Sequence, residues 1–176
     1  MQRTPAIFQA LATLVFCSVL TLGLSSCGEE KRPVGPPEVA PDFSLPLLAQ
    51  TSQVNLSSQL GKTVIVDFWA TWCVPCEFQV PELNAFYDAH REDSDVVLYG
   101  ISVDTIGPDA VAEWTTEKGV RYPILLADDA LARDFGVDGY PTVVVINPKG
   151  EIDTRHVGLI QQSELEEILT RLRGEV

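Results

Sequence analysis

The sequence predicts one α/β domain in which a mixed β-sheet is covered by helices on both faces. Apolar, strand-like runs alternate with segments of helical periodicity along most of the chain. The 176 residues are enough to bury one substantial core. The formal net charge of −13 argues against nucleic acid as a partner and against a basic patch that would bind anionic lipid.

Seven strands and four helices are predicted after a proline-rich segment. The strands are expected over 42–48 and 53–56 (an N-terminal β-hairpin), 62–68 (the central strand), 95–103, 122–127, 142–147 and 151–157. The helices are expected over 73–91, 108–118, 128–135 and from 163 onward, with a single helical turn over 57–60. Asp128 is a candidate N-cap, and Ser163 with Glu166 forms a candidate capping box.

The helix over 73–91 carries its apolar residues at helical spacing, which predicts that one side of it packs against the sheet. Pro81 lies inside this helix and is expected to kink it. The residues expected to face the sheet are Phe78, Val80, Leu83, Phe86 and Tyr87.

The N-terminal segment is typical of an export signal. Residues 6–24 are apolar without charge, and Leu24-Ser25-Ser26-Cys27 resembles the end of a bacterial lipoprotein signal. We therefore expect a signal peptide over 1–26, lipid attached at Cys27, a proline-rich spacer over 27–41 and the folded domain over 42–176. The alternatives are an uncleaved membrane anchor and a secretory signal cleaved elsewhere. Each of the three places the domain outside the cytoplasm.

Two cysteines, Cys73 and Cys76, are separated by two residues and stand at the predicted start of the helix that follows the central strand. Free N–H groups and the positive end of the helix dipole favour a thiolate there, so Cys73 is the expected nucleophile and Cys76 the resolving thiol. Pro75 removes an N–H group in the first turn, where no partner is needed, and stiffens the segment. Cys17 would be removed and Cys27 acylated, which leaves this pair for redox chemistry.

A CxxC pair also occurs in zinc sites, which usually need four ligands. This chain offers only His90 and His156 besides, at no spacing typical of zinc ligands. We therefore expect no metal and no cofactor. Both histidines are expected on the surface.

Asp67-Phe68-Trp69-Ala70 followed by Trp72-Cys73-Val74-Pro75-Cys76 resembles the active site of the thioredoxin superfamily. About 41–172 resembles its membrane-tethered TlpA/ResA-like branch of thiol–disulfide oxidoreductases. The resemblance implies a thioredoxin fold with a central strand–helix insertion over 122–135. It also implies reduction of protein disulfides, often on apocytochrome c cysteines, with electrons from a membrane dithiol carrier. We expect a monomer, lipid-anchored on the outer side of a bacterial membrane and periplasmic if the cell has an outer membrane.

A carboxylate within the apolar run before the cysteines is expected to be buried, which raises its pKa. We assign Asp67 as the proton acceptor for Cys76, a role that the resemblance also implies; the alternative is a hydrogen-bonded core aspartate. Many TlpA/ResA-like proteins have a glutamate three residues after the second cysteine. Gln79 stands there in this chain and cannot titrate, so we expect it to be at most a hydrogen-bonding spectator.

Pro141 directly precedes a predicted strand, and sequence alone favours a trans peptide bond there. The resemblance instead implies a cis-proline that faces the dithiol; the alternative is an ordinary proline at a strand entry. Trp72, Val74 and Tyr140, with Pro75, are expected to form an apolar rim that binds a polypeptide substrate. Trp69 is expected in the core.

Other functions remain open at this point. Peroxiredoxins share the fold but need threonine or serine three residues before the peroxidatic cysteine, where this chain has Ala70. A copper-handling protein would typically have a CxxxC spacing and a histidine. A disulfide oxidant of the DsbA type and a lipoprotein that only binds partners are the further alternatives.

Overall fold

A computed structural model describes residues 37–174. The predicted signal peptide over 1–26, the lipidation site Cys27 and most of the predicted spacer lie outside these residues. Between 37 and 174, no helix is both long enough and apolar enough to cross a membrane.

The described chain forms seven β-strands, four α-helices and one short 3-10 helix. In chain order they are β1 (Ser44–Pro46), β2 (Gln53–Asn55), the 3-10 helix (Leu56–Gln59), β3 (Thr63–Trp69), α1 (Val74–His90), β4 (Val96–Ser102), α2 (Pro108–Glu117), β5 (Ile124–Leu126), α3 (Asp129–Asp134), β6 (Thr142–Ile146), β7 (Ile152–Val157) and α4 (Gln162–Gly174). Each predicted element is present, with ends that differ by a few residues.

The main sheet has five strands in the order β5-β4-β3-β6-β7, and β1 and β2 form a separate antiparallel pair. β3 is parallel to β4 and antiparallel to β6, so the sheet is mixed, as predicted. All seven residues of β3 are buried. A strand with neighbours on both sides and both faces covered explains why its sequence is almost continuously apolar.

The core lies around β3 and β6. The largest fully buried side chains include Phe68, Trp69, Phe86 and Phe135. The rings of Phe68 and Phe135 lie 5.4 Å apart, which joins β3 to the end of α3. Each such side chain contributes about 1.5–3 kcal/mol through burial.

Helix α1 buries one side, but the prediction for Phe78 was wrong. Val80, Leu83 and Phe86 are buried as expected, whereas Phe78 is 65 % exposed. With about 3.6 residues per turn, Phe78 lies on the opposite side of α1 from the line that joins Cys76, Val80 and Leu83. α1 continues through Pro81 to His90.

Two predicted boundaries need correction. α4 begins at Gln162, and the backbone N–H of Gln161 donates to Glu164 at 3.0 Å, so the capping pair lies two residues before Ser163 and Glu166. The folded part also begins before Asp42. The N–H of Ile152 donates to the carbonyl of Glu38 at 2.7 Å, which places the last residues of the predicted spacer beside the start of β7.

The prediction that His90 lies on the surface was also wrong, because its side chain is only 14 % exposed. The ring nitrogens lie 2.8 Å from Asp93 and 2.8 Å from Glu166. His90 thereby joins the end of α1 to α4. His156 is half-buried, and its Nε2 lies 2.9 Å from the carbonyl oxygen of Leu159.

Candidate active site

The two cysteines form a disulfide at the N-terminus of α1. Cys73 is the N-cap residue and Cys76 lies in the first turn, with an S–S distance of 2.08 Å. Pro75 occupies the first turn without disturbing it, because that position needs no N–H donor. Both cysteines are nearly buried, with Cys73 5 % and Cys76 2 % exposed.

The first turn of α1 is suited to a thiolate. Within residues 37–174, no side chain caps the free N–H groups of this helix end, and these groups with the helix dipole stabilise negative charge on the N-cap sulfur. Glu77, in the same turn, would oppose that charge. Its carboxylate lies 3.1 Å from the ammonium of Lys118, which offsets part of this opposition.

Asp67 lies in the middle of β3, between Gly100 of β4 and Val143 of β6. It is 2 % exposed, and its Oδ1 has no hydrogen-bond partner among the described residues. Burial raises the pKa of this carboxyl to about 7. A carboxyl group with this pKa can both take up and release a proton near neutral pH. The missing partner at Oδ1 argues against the alternative of a fully hydrogen-bonded core aspartate.

Gly100 makes room for the aromatic residues around Asp67. A Cβ atom at this position would lie 2.9 Å from the ring of Tyr122 and 3.0 Å from Nε1 of Trp69. Burial, together with the charge of Asp67, holds the pKa of Tyr122 well above its usual range, so the phenol stays protonated. Trp69 is buried as expected.

Asp104, which we did not predict as a functional residue, holds the segment that leads to Cys73. Its carboxylate accepts from the backbone N–H of Thr71 at 2.9 Å and from the hydroxyl of Thr71 at 2.7 Å. It also accepts from the hydroxyl of Ser102 at 2.8 Å. The end of β4 therefore fixes the loop between β3 and α1. Nothing in the local sequence around Asp104 signals this contact, because its partner lies 33 residues away.

The Tyr140–Pro141 peptide bond is cis, as the family resemblance implied, and Pro141 is buried at the start of β6. The ring of Tyr140 makes an edge contact with Trp72, with centroids 5.7 Å apart. Its hydroxyl donates to Asp129 at 2.5 Å, a residue that sequence reasoning missed. Burial, with this hydrogen bond, raises the pKa of Tyr140.

The predicted rim residues are partly brought together. Trp72 is 66 % exposed and Val74 is 63 % exposed, on either side of Cys73. Tyr140 touches Trp72, and Pro75 is exposed in the first turn of α1. An apolar surface thus surrounds a nearly buried disulfide, which suits a polypeptide partner.

Gln79 is buried, one turn after Cys76. Its side-chain amide donates to the carbonyl oxygen of Ile160 at 2.9 Å and accepts from the N–H of Ile160 at 2.8 Å. Gln79 therefore does make hydrogen bonds, and they join α1 to the segment between β7 and α4.

Comparison with known proteins gives consistent results. A family model described as the AhpC/TSA family matches residues 36–155. The thioredoxin-like protein YneN of Bacillus subtilis (strain 168) is 31 % identical over 130 residues, covering 74 % of this chain and 76 % of YneN. The thiol-disulfide oxidoreductase ResA of Geobacillus kaustophilus (strain HTA426) is 30 % identical over 146 residues, covering 82 % of each chain.

Solved structures agree with this assignment. A putative thiol:disulfide interchange protein DsbE from Chlorobium tepidum superposes with a TM-score of 0.69 at 26 % identity, covering 79 % of this chain and 99 % of that one. StoA from Bacillus subtilis superposes with a TM-score of 0.64 at 26 % identity, covering 74 % and 98 %. The chain therefore belongs to the AhpC/TSA family and is a thioredoxin-fold thiol–disulfide oxidoreductase of the ResA and DsbE type.

Proposed function

We propose that this protein reduces protein disulfides outside the cytoplasm. One observation carries the proposal: a cysteine pair that forms a disulfide at the start of α1 is accompanied by a buried carboxyl, Asp67, whose pKa burial raises to about 7. The helix end favours the thiolate of the attacking cysteine, and the carboxyl can manage the proton of the second one.

The reaction has two steps. The Cys73 thiolate attacks one sulfur of the substrate disulfide, a mixed disulfide forms, and the other substrate sulfur leaves as a thiolate. Asp67 then accepts the proton of Cys76, whose thiolate attacks Cys73 and releases the second substrate sulfur. The substrate gains two electrons, and the protein is left with the Cys73–Cys76 disulfide. A dithiol donor must reduce this disulfide before the next turnover.

The surface around Cys73 supports a polypeptide as the substrate. Trp72, Val74 and Tyr140 offer apolar area. We assign Pro141 as the residue whose backbone a substrate segment contacts. Pro75 keeps the first turn of α1 compact beside it. A small polar disulfide would leave most of this apolar surface in water, so a peptide with apolar neighbours to its cysteine fits better.

The location and partners of this reaction are proposed from the sequence. Lipid at Cys27 would hold the domain at the outer side of a bacterial membrane, where a membrane dithiol carrier can supply electrons. Apocytochrome c cysteines are the proposed substrates, since the family resemblance implies them. Mass spectrometry of the membrane-extracted protein tests the anchor: an N-terminal acylated Cys27 supports it, and an unmodified N-terminus elsewhere contradicts it.

The enzymatic proposal is tested by mixing the reduced protein with insulin whose disulfides are intact. We expect wild type to reduce insulin, Cys73→Ser to be inactive, and Cys76→Ser to accumulate a mixed disulfide visible on a non-reducing gel. Equal activity of Cys73→Ser and wild type would contradict the mechanism. Peroxide consumption that is faster than insulin reduction would instead favour a peroxidase.

A further inference from the structure

Two buried side-chain amides on α1 each exchange a pair of hydrogen bonds with the backbone of a distant loop. Gln79 is 1 % exposed and bonds both backbone groups of Ile160. Asn84 is 6 % exposed, donates to Gly119 at 2.9 Å and accepts from Arg121 at 2.8 Å. The two amides have the same chemistry, but they hold different loops.

The loop held by Gln79 is connected directly to Pro141. Val157 is the register partner of Thr142, and the N–H of Gly158 donates to the carbonyl oxygen of Pro141 at 2.8 Å. Val157, the last residue of β7, and residues 158–160 are together called the β7–α4 loop here, and they link the proline to α1. Val157 is 71 % exposed and Leu159 is 44 % exposed, so this loop presents apolar side chains to solvent on either side of Gly158, the residue bonded to Pro141.

We propose that Gln79 is a positioning residue for substrate docking, which keeps the β7–α4 loop against α1 so that Val157 and Leu159 extend the apolar surface around Cys73. The inference rests on the proposed function, and it adds a determinant of specificity: a substrate segment with apolar residues near its cysteine. It leaves the acid–base role with Asp67.

The choice of an amide has a physical consequence. A carboxamide donates from nitrogen and accepts at oxygen at every pH at which the protein is folded. A glutamate at this position could make both bonds only when it is protonated, because a carboxylate has no donor for the carbonyl oxygen of Ile160. The β7–α4 loop of this protein is therefore held independently of pH.

The test compares Gln79→Glu with wild type across pH. The reduced protein is mixed with a fluorescent disulfide peptide that has leucine on both sides of its cysteine, and the second-order rate constant is measured between pH 5 and pH 9. Alkylation of Cys73 by iodoacetamide is measured in parallel, because it reports the thiolate without peptide docking. The ratio of the two rate constants isolates docking.

We expect this ratio to be close to that of wild type at pH 5 and to fall about tenfold by pH 9 in Gln79→Glu, as the carboxyl loses its proton. Asn84→Asp is the matched control: it loses the same kind of donor at the other loop, and its ratio should stay at the wild-type value. A flat ratio for Gln79→Glu, or an equal fall for Asn84→Asp, overturns the proposal.

A second variant covers the case in which Gln79→Glu unfolds at high pH. Gln79→Met keeps a similar volume and removes both hydrogen bonds, so its ratio should be low at every pH at which circular dichroism shows a folded protein. An unchanged ratio in Gln79→Met overturns the proposal.

The proposed function can fail separately from this inference. If wild type does not react with the peptide, the reductase proposal fails, and amide hydrogen exchange of Gly158 still tests the loop contact. Faster exchange of Gly158 in Gln79→Met than in Asn84→Asp supports the role of Gln79 in holding the loop; equal exchange contradicts it.

Discussion

Asp67 is a buried residue that can accept and release the proton transferred during thiol–disulfide exchange. Its neighbours in β3, Val66 and Phe68, are apolar and fully buried, so its carboxyl is desolvated and its pKa rises to about 7. An ordinary aspartate, with a pKa near 3.9, would be a poor proton acceptor for a thiol at neutral pH. The location of this residue within β3 therefore matters as much as its chemistry.

The first prediction at this scale concerns the resolving step. Asp67→Asn should slow the attack of Cys76 on the mixed disulfide by about 100-fold or more at neutral pH, because the amide cannot accept the proton. Stopped-flow fluorescence of the reduced protein with a disulfide peptide measures this step. Asn84→Ala, at the buried amide that holds the other loop, is the control and should resolve at nearly the wild-type rate. Equal rates for Asp67→Asn and wild type would remove Asp67 from the mechanism.

The second prediction concerns stability and follows from the same pKa. The folded state holds the proton of Asp67 up to about pH 7, whereas the unfolded chain releases it near pH 4. The folded state therefore loses stability as pH rises from about 4 to 7, by roughly 4 kcal/mol at most. Urea unfolding of the oxidised protein should show this loss in wild type and a smaller loss in Asp67→Asn. The same pH dependence in both proteins would contradict the assigned pKa.

At the scale of elements, the loop between β3 and α1 is held by Asp104, which lies two residues after the end of β4. Asp104 accepts three hydrogen bonds from Thr71 and Ser102, and no other described side chain is bonded to the N–H of Thr71. We predict that Asp104→Ala lowers the free energy of unfolding by about 1–3 kcal/mol, because this N–H loses its partner. It should also slow the reaction of Cys73 with peptide. Denaturant unfolding and stopped-flow measurements check the two effects.

Thr71→Val is the matched variant for this prediction. It removes the hydroxyl but keeps the backbone N–H bond to Asp104, so its loss of stability should be smaller than that of Asp104→Ala. An equal loss would mean that the hydroxyl alone carries the contact. No loss in either variant would show that Asp104 does not hold the loop.

The contact between α1 and α4 predicts a dependence on pH above neutrality. Both ring nitrogens of His90 face carboxylates, and a neutral imidazole can donate from only one nitrogen. Partial burial lowers the pKa of His90, but the hydrogen bonds to Asp93 and Glu166 outweigh this and raise it. Asp93 is also bonded to Arg173 at 2.7 Å, which ties the other end of α4 to the same carboxylate.

Because the pKa of His90 is raised in the folded state, the stabilisation by its two contacts is complete below about pH 6.5. It is lost as pH rises through the pKa that His90 has in the folded state. We predict that wild type loses up to about 1 kcal/mol of unfolding free energy between pH 6.5 and pH 9, and that His90→Gln loses less. His156→Gln, whose histidine meets a backbone carbonyl instead, should behave as wild type. A wild-type pH dependence in His90→Gln would contradict the role of His90.

At the scale of the whole molecule, the sheet and the dithiol helix were predictable because their signals are local. The apolar run of β3, the helical spacing after Cys76 and the turn before β7 each occupy one short stretch of sequence. The cis form of Pro141 came from the family resemblance and not from its neighbours.

Other features depend on which distant segments meet, and no local pattern encodes them. Asp104, Asp129 and Ile160 act through contacts with Thr71, Tyr140 and Gln79, which only the folded chain brings together. Phe78 is a different case, because the 3.6-residue repeat of α1 is enough to place it opposite Cys76, Val80 and Leu83. Its apolar side chain predicted burial, but its angular position on α1 places it away from the sheet.

The reduction potential of the Cys73–Cys76 pair tests the central claim most directly. The protein is equilibrated with glutathione or dithiothreitol buffers, and the reduced fraction is measured by thiol labelling. A reductase requires a value near that of thioredoxin, about −270 mV, or lower. A value near that of DsbA, about −120 mV, would make the protein an oxidant and would contradict the proposed function.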